Sequence, residues 1–298
     1  MLDPEKAGDA LDWVINSPLL LSAPVEPKLW ELEASQTLIA ETKNDPSKLL
    51  QYLTTAKRKN LGTLFEKLVF FWLENLPEVR VIGTNIQIRD EKTTYGELDL
   101  LFEYEGTLYQ WELAIKFYAC DGDPEDEADW LGPLRRDNLK RKLDRLFDHQ
   151  MQISLEDYAK PTLDDLGLSN VQIHTYPFVK GCLYDPVDKQ SGIRPERMSD
   201  MGLKGQWVTL GDFENTIINQ RLDHPSSYCI LEKKDWLSPI LKGEWKDFSI
   251  EQFVKTMTDI FDKNSTPKQV AFLINKHGEH IQQTLFIMPD TWTLQNRV

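Results

Sequence analysis

Three side chains in the stretch Gly96–Lys116, GELDLLFEYEGTLYQWELAIK, have the types and spacing for phosphoryl chemistry: Asp99, Glu112 and Lys116. Leu108, Gln110, Glu112, Ala114 and Lys116 fall on one face of an alternating segment, and Tyr109, Trp111, Leu113, Ile115 and Phe117 on the other. That is the period of a strand with one buried face. A strand over 97–102 puts Glu97 and Asp99 on one face and Leu98, Leu100 and Phe102 on the other. A two-residue turn at Glu105-Gly106 then pairs Tyr104 with Thr107 and sets Asp99 opposite Glu112. Directly opposed Cβ atoms lie roughly 5 Å apart, and like charges there destabilise a sheet. A divalent cation, Mg²⁺ or Mn²⁺, resolves that conflict. Carboxylates hold such an ion against a phosphate, and a neighbouring lysine orients or activates the attacking water. Asp99 and Glu112 are the expected ligands and Lys116 the expected lysine; a surface strand with an ordinary Glu112–Lys116 ion pair is the alternative.

The flanking elements must position these groups. Gly62–Asn75 has the i, i+3, i+4, i+7 pattern of a core helix, with Leu61, Leu64, Phe65, Leu68, Val69, Trp72 and Leu73 as its stripe. Glu66 lies at the edge of that stripe and is the expected third acidic ligand. Pro77 ends the helix, and Val79–Arg89 reads as a strand leading into the hairpin. After the acidic loop DGDPEDEADW a helix is expected from Leu134 to Gln150, with Leu139, Leu143, Leu146 and Phe147 inward. Its other faces are basic, and Arg135, Arg136, Lys140 and Arg141 are the expected phosphate contacts. Glu97, facing Ala114, and Gln150, at the helix end, are expected to support the carboxylates.

Residues 1–58 read as mainly helical, broken at Asn44-Asp45-Pro46-Ser47. Beyond 152 the signals are less regular. Strands are expected at Val171–Tyr184, Gly205–Phe213 and Ser226–Leu231. A helix over Ile250–Asp262 opens on a Ser249/Gln252 capping box. A final hairpin, Gln269–Asn275 with His280–Met288, turns at His277-Gly278. The expected segments are 1–58, a helical extension; 59–152, the core; and 153–298, an α/β region packed on or continuing that core.

The net charge of −14 is unhelpful for a nucleic-acid partner, so clustering of the 34 Lys and Arg matters more than the total. Three scattered cysteines make neither a disulfide framework nor a metal pair. No apolar run is long enough for a membrane span, and MLDPEKAGDALDW lacks the form of a secretory signal. The expected compartment is the cytoplasm.

GELDLLF, a turn, and YQWELAIK resemble the core of the PD-(D/E)XK nuclease superfamily, with the helix around Glu66 similar to its first core helix. The resemblance covers about residues 60–150. It implies an α/β fold, a restriction-endonuclease-like mixed sheet flanked by helices, and a Mg²⁺-dependent nuclease acting on DNA more readily than RNA. The whole chain also resembles a bacterial family catalogued as domain of unknown function 1853, through WELAIKFY, LGPLRRDNLKRKLDRLFDHQ and ILEKKDWLSP. One position departs from the superfamily pattern. The lysine belongs two residues after Glu112, where this chain has Ala114. Lys116 follows on the same face, about 6.6 Å further along the strand. Either the lysine has migrated or the site has decayed. A decayed site leaves two other expectations, a nucleic-acid-binding module that does not cut and a protein-interaction module.

Overall fold

The computed structural model describes residues 2–54, 60–90, 92–169, 171–189, 192–219, 223–238, 244–276 and 279–293. In order, its first half carries α1 (Pro4–Asn16), α2 (Glu33–Asn44), α3 (Ser47–Leu53), α4 (Leu61–Glu74), β1 (Val79–Arg89), β2 (Thr94–Tyr104), β3 (Thr107–Cys120), β4 (Trp130–Leu131), α5 (Leu139–Asp148) and α6 (Lys160–Asp165). There follow β5 (Ile173–Pro186), β6 (Leu203–Thr209), α7 (Leu210–Ile218), β7 (Pro225–Ile230), β8 (Lys246–Asp247), α8 (Ile250–Lys263), β9 (Lys268–Lys276) and β10 (Glu279–Met288). The architecture is α/β with mixed sheet. The chain divides into two compact units, each discontinuous in sequence: Met1–Lys116 with Lys142–Lys180, and Phe117–Arg141 with Gly181–Val298. No helix among the described residues is long and apolar enough to cross a membrane.

In the first unit, β1, β2 and β3 form an antiparallel meander, and β5 lies next to β3. The turn between β2 and β3 is Glu105-Gly106, with φ of 49° and 77°, the left-handed pair that a tight hairpin turn requires. Tyr104 pairs with Thr107 as expected, and pairing runs to Leu100↔Trp111. Trp111 stacks on Phe178 of β5 at 4.7 Å and meets Phe102 edge-on at 5.1 Å. Asn60 caps α4 by accepting from the Thr63 amide at 2.9 Å. The buried face of α4, with Phe65 and Trp72, closes over this aromatic layer. The break before α3 also forms, where Asp45 accepts from the Ser47 amide at 3.0 Å.

In the second unit β5, β6 and β10 run parallel, and β9, β7 and β8 follow antiparallel. Phe213, Phe253, Met257 and Phe272 centre its core. Three local expectations change here. The strand expected to run to Phe213 stops at Thr209, whose hydroxyl accepts from the Asp212 amide and opens α7. Thr209-x-x-Asp212 is a helix-start signal, and it ends the strand. Ser249 begins α8 without any side-chain capping bond. The turn at His277-Gly278 lies outside the described residues, although β9 and β10 pair as an antiparallel hairpin.

The helix expected from Leu134 starts five residues later, at Leu139. Arg135 has φ of 53°, which no helix continues through, and the Asn138 side chain caps the true start by accepting from the Arg141 amide at 2.9 Å. Arg135 is therefore corrected as a phosphate contact. It is only 3% exposed, donates to Asp121 at 2.6 Å and lies over the Trp292 ring at 4.7 Å. Its charge is spent on holding loops together.

Trp111 fills the centre of the first unit. Replacement by alanine is expected to cost about 3–5 kcal/mol, the range for buried aromatic truncations. Urea denaturation of the full chain, comparing midpoints at equal slope, checks this.

Candidate functional site

The site grows from a split in the hairpin. Backbone pairing of β2 and β3 stops at Leu100↔Trp111, one step short of the expected Asp99–Glu112 pair. The next amide, Leu113 N–H, donates to Asp99 Oδ2 at 2.8 Å. A side chain has replaced a ladder acceptor, so the strands part at the carboxylates. The alternation of β2 breaks there as well. Leu98 and Leu101, three apart, share one apolar cluster, whereas Leu98 was expected beside Leu100 and Phe102. This irregularity takes Asp99 out of a simple cross-strand position.

Glu112 has no solvent exposure, although the opposite face of its strand carries the aromatic layer. Its Oε1 accepts from Gln110 Nε2 at 2.8 Å and its Oε2 from Gln150 Nε2 at 3.4 Å. Burial pushes its carboxyl well up, and the charge of Asp99 pushes it further. Asp99 is also raised, first by burial, while the Leu113 amide and Lys116 pull it back. Asp99 thus raises Glu112, and the protonated form of the pair is favoured over two separate charges. Glu66 reaches the same cluster from α4. Burial and then the charges of Asp99 and Glu97 raise it to about 7, opposed by Lys67. Gln110 Oε1 is buried beside this cluster with no hydrogen-bond partner.

The structure brings together Asp99, Glu112 and Gln150, with Glu66 and Lys116 near enough to act on Asp99 through their charges. Glu97 accepts from Gln87 of β1 and touches the cluster through its charge alone. Gly96, the first residue of the motif, has a positional reason. A Cβ there would lie 2.4 Å from Ile153 Cδ1, and Ile153 belongs to the turn of 3₁₀ helix that begins at Gln150. Glycine lets that turn seat against β2 and present Gln150 to Glu112.

Next to the carboxylates is a cavity of about 260 Å³ lined by Ala114 and Lys116 of β3, Lys142, Leu143, Arg145 and Leu146 of α5, Gln150, and Val179 of β5. Leu113 and Ile115 line the same recess, so Ala114 and Lys116 share one space. The recess is lined by cations of the basic segment other than the expected phosphate contacts. Arg136, Lys140 and Arg141 are exposed, but Lys142 and Arg145 line the recess. The signal was present: they flank Leu143 and Leu146 at i, i+3 spacing on the side of the apolar stripe.

Among the described residues no three His, Cys, Asp or Glu side chains form a group that would hold a metal ion unaided. Mg²⁺ does not require one. It binds through one or two carboxylates and keeps waters and phosphate oxygens for the remaining positions. The buried Asp99–Glu112 pair fits that pattern, as does the orphaned oxygen of Gln110. The donor set is all hard oxygen.

The first unit is thus α/β, with paired, buried carboxylates beside a cationic recess. The chain belongs to the family described as domain of unknown function 1853, whose model matches residues 9–288. No curated relative and no solved structure matches it.

Raised carboxyls bind protons more tightly in the folded chain than in the unfolded one. Their contribution is therefore most favourable below the ordinary carboxylate range and is lost as pH rises through the folded values. Glu112→Gln removes the largest part of that loss. It is expected to raise the melting temperature at pH 8 and leave it unchanged near pH 4, as calorimetry across pH will show.

Proposed function

We propose that the chain is a metal-dependent nuclease hydrolysing phosphodiester bonds of DNA, on a PD-(D/E)XK-like core with its lysine displaced to position 116. The observation that carries this is the buried pair Asp99 and Glu112, with Glu66 in electrostatic range, next to a recess lined by Lys116, Lys142 and Arg145. Acidic groups that are costly to bury sit against cations that suit a phosphate. A purely structural sheet face gains nothing from that arrangement.

Asp99 and Glu112 would hold the ion. When bound, Mg²⁺ supplies charge stabilisation at the phosphate and an acidified water. The chain's own groups do the rest. The Asp99–Leu113 hydrogen bond fixes one carboxylate, and Gln110 and Gln150 fix the other. Glu66, raised to about 7, can exchange a proton with water at working pH. Lys116 lines the recess next to Ala114, where its ammonium can orient the attacking water or meet a phosphate oxygen. Ala114 itself favours a second reading, a module that binds nucleic acid without cutting it. Under that reading, binding survives loss of Asp99 and weakens with Lys142→Ala and Arg145→Ala.

The deciding measurement incubates the full chain with single-stranded, double-stranded and branched DNA, and with RNA, in Mg²⁺ or Mn²⁺. Cleavage is expected, abolished by chelation and reduced at least ~100-fold by Asp99→Asn or Glu112→Gln, the scale of losing a key electrostatic group. Cleavage of no substrate, together with no calorimetric heat of Mn²⁺ binding, would falsify the nuclease.

A further inference from the structure

Resting on the nuclease reading, we infer that Gln110 is a further ligand of the divalent cation. Its carboxamide turns over, from a nitrogen bonded to Glu112 to an oxygen offered to the ion. Gln110 and Glu112 are two apart on β3, so they share a face, and neither has any solvent exposure. Gln110 Nε2 donates to Glu112 Oε1 at 2.8 Å, while Gln110 Oε1 is buried without a hydrogen-bond partner. Leaving a buried acceptor unpaired is costly, so the sealed oxygen asks for a use. Gln150 is in a different position. Its contact with Glu112 Oε2 is longer, at 3.4 Å, and it lines the recess, where water can satisfy its oxygen.

A carboxamide is planar and its last torsion is broad and roughly two-fold, so a half-turn exchanges nitrogen for oxygen with little other movement. After that half-turn two oxygens face one another across the same 2.8 Å. Oxygens that close repel unless a cation joins them. Mg²⁺ holds its ligands in near-octahedral order at roughly 2.0–2.1 Å, which sets neighbouring ligand oxygens about 2.9 Å apart. The spacing that Glu112 keeps to Gln110 is therefore that of two oxygens on one ion. The N–H gives Glu112 a partner in the ion-free protein, and the oxygen gives the ion one. A glutamate at 110 would add a third like charge beside Asp99 and Glu112, and a hydrocarbon would leave Glu112 without its closer donor. Glutamine alone serves both states, and it adds a neutral hard oxygen of the kind Mg²⁺ and Mn²⁺ accept.

The test follows metal binding by the full chain in two ways that do not depend on cleavage. Calorimetry compares Mn²⁺ and Cd²⁺ binding by wild type and by Gln110→Met, which puts a soft sulfur where the amide was. Mn²⁺ affinity is expected to fall at least ~10-fold, while Cd²⁺, the softer ion, loses less than about threefold. NMR of wild type labelled in its glutamine side chains then follows the Gln110 amide through a Mg²⁺ titration, the signal being identified by its loss in Gln110→Glu. Its carbon should move downfield and its amide protons should lose the shift of a carboxylate-bound N–H, both saturating with the calorimetric Kd for Mg²⁺. This arm needs no Gln110→Met protein, so it decides even where that variant does not fold. An amide signal unmoved at saturation, Mn²⁺ affinity unchanged in Gln110→Met, or equal losses for Mn²⁺ and Cd²⁺ each overturn the inference and leave the nuclease standing. Absence of Mn²⁺ binding by wild type overturns it too, and the nuclease falls with it if cleavage is absent as well.

Discussion

The burial of Glu112 is the constraint on which the rest of the first unit turns. A carboxylate with no solvent contact costs several kcal/mol to ionise, and a second carboxyl beside it raises that cost. The structure answers in two ways. It holds the pair partly protonated, and it surrounds Glu112 with two glutamine amides. Neither removes the conflict. The aromatic layer on the other face keeps β3 from yielding, since Trp111 is stacked on Phe178 and edged by Phe102. The strain of like charges is thus confined to a few side chains within a rigid frame, the condition under which an acidic site can be ready before a cation arrives.

Much of this was legible from the residues, for identifiable reasons. The hairpin was, because alternation and Glu105-Gly106 are both local signals. The half-buried place of Glu66 near Asp99 was, because its position at the edge of the α4 stripe follows from helical period. The parting of the strands at Asp99 was not, since it depends on a side chain taking the place of a backbone acceptor. The start of α5 was missed because basic residues were counted along the chain from Leu134. The left-handed Arg135 and the Asn138 cap move the helix by five residues, and that decides which cations turn toward the recess. Thr209 and Asp212 have the spacing of a helix start, a local signal that outweighs the strand pattern leading up to it.

The balance of charge illustrates how little a total says about a surface. Acidic residues outnumber basic ones by 48 to 34, yet one recess is lined by three cations and no carboxylate. Arginine is also spent in packing. Arg194 pairs with Asp185 with both side chains nearly sealed from solvent, and its guanidinium lies over Trp130. Arg135 does the same over Trp292. Such residues add to the count of positive charge and contribute no field at the surface.

The hydrogen bond from Leu113 to Asp99 separates two residues that look equivalent. Asp99 carries part of the strand pairing, so an oxygen at that position has a structural use whatever the chemistry of the site. Glu112 has no such second employment. It is buried beside Asp99, and its two oxygens accept from the side-chain amides of Gln110 and Gln150. An Asp at 99 is thus explained by the fold alone, whereas the burial of an acid at 112 is not.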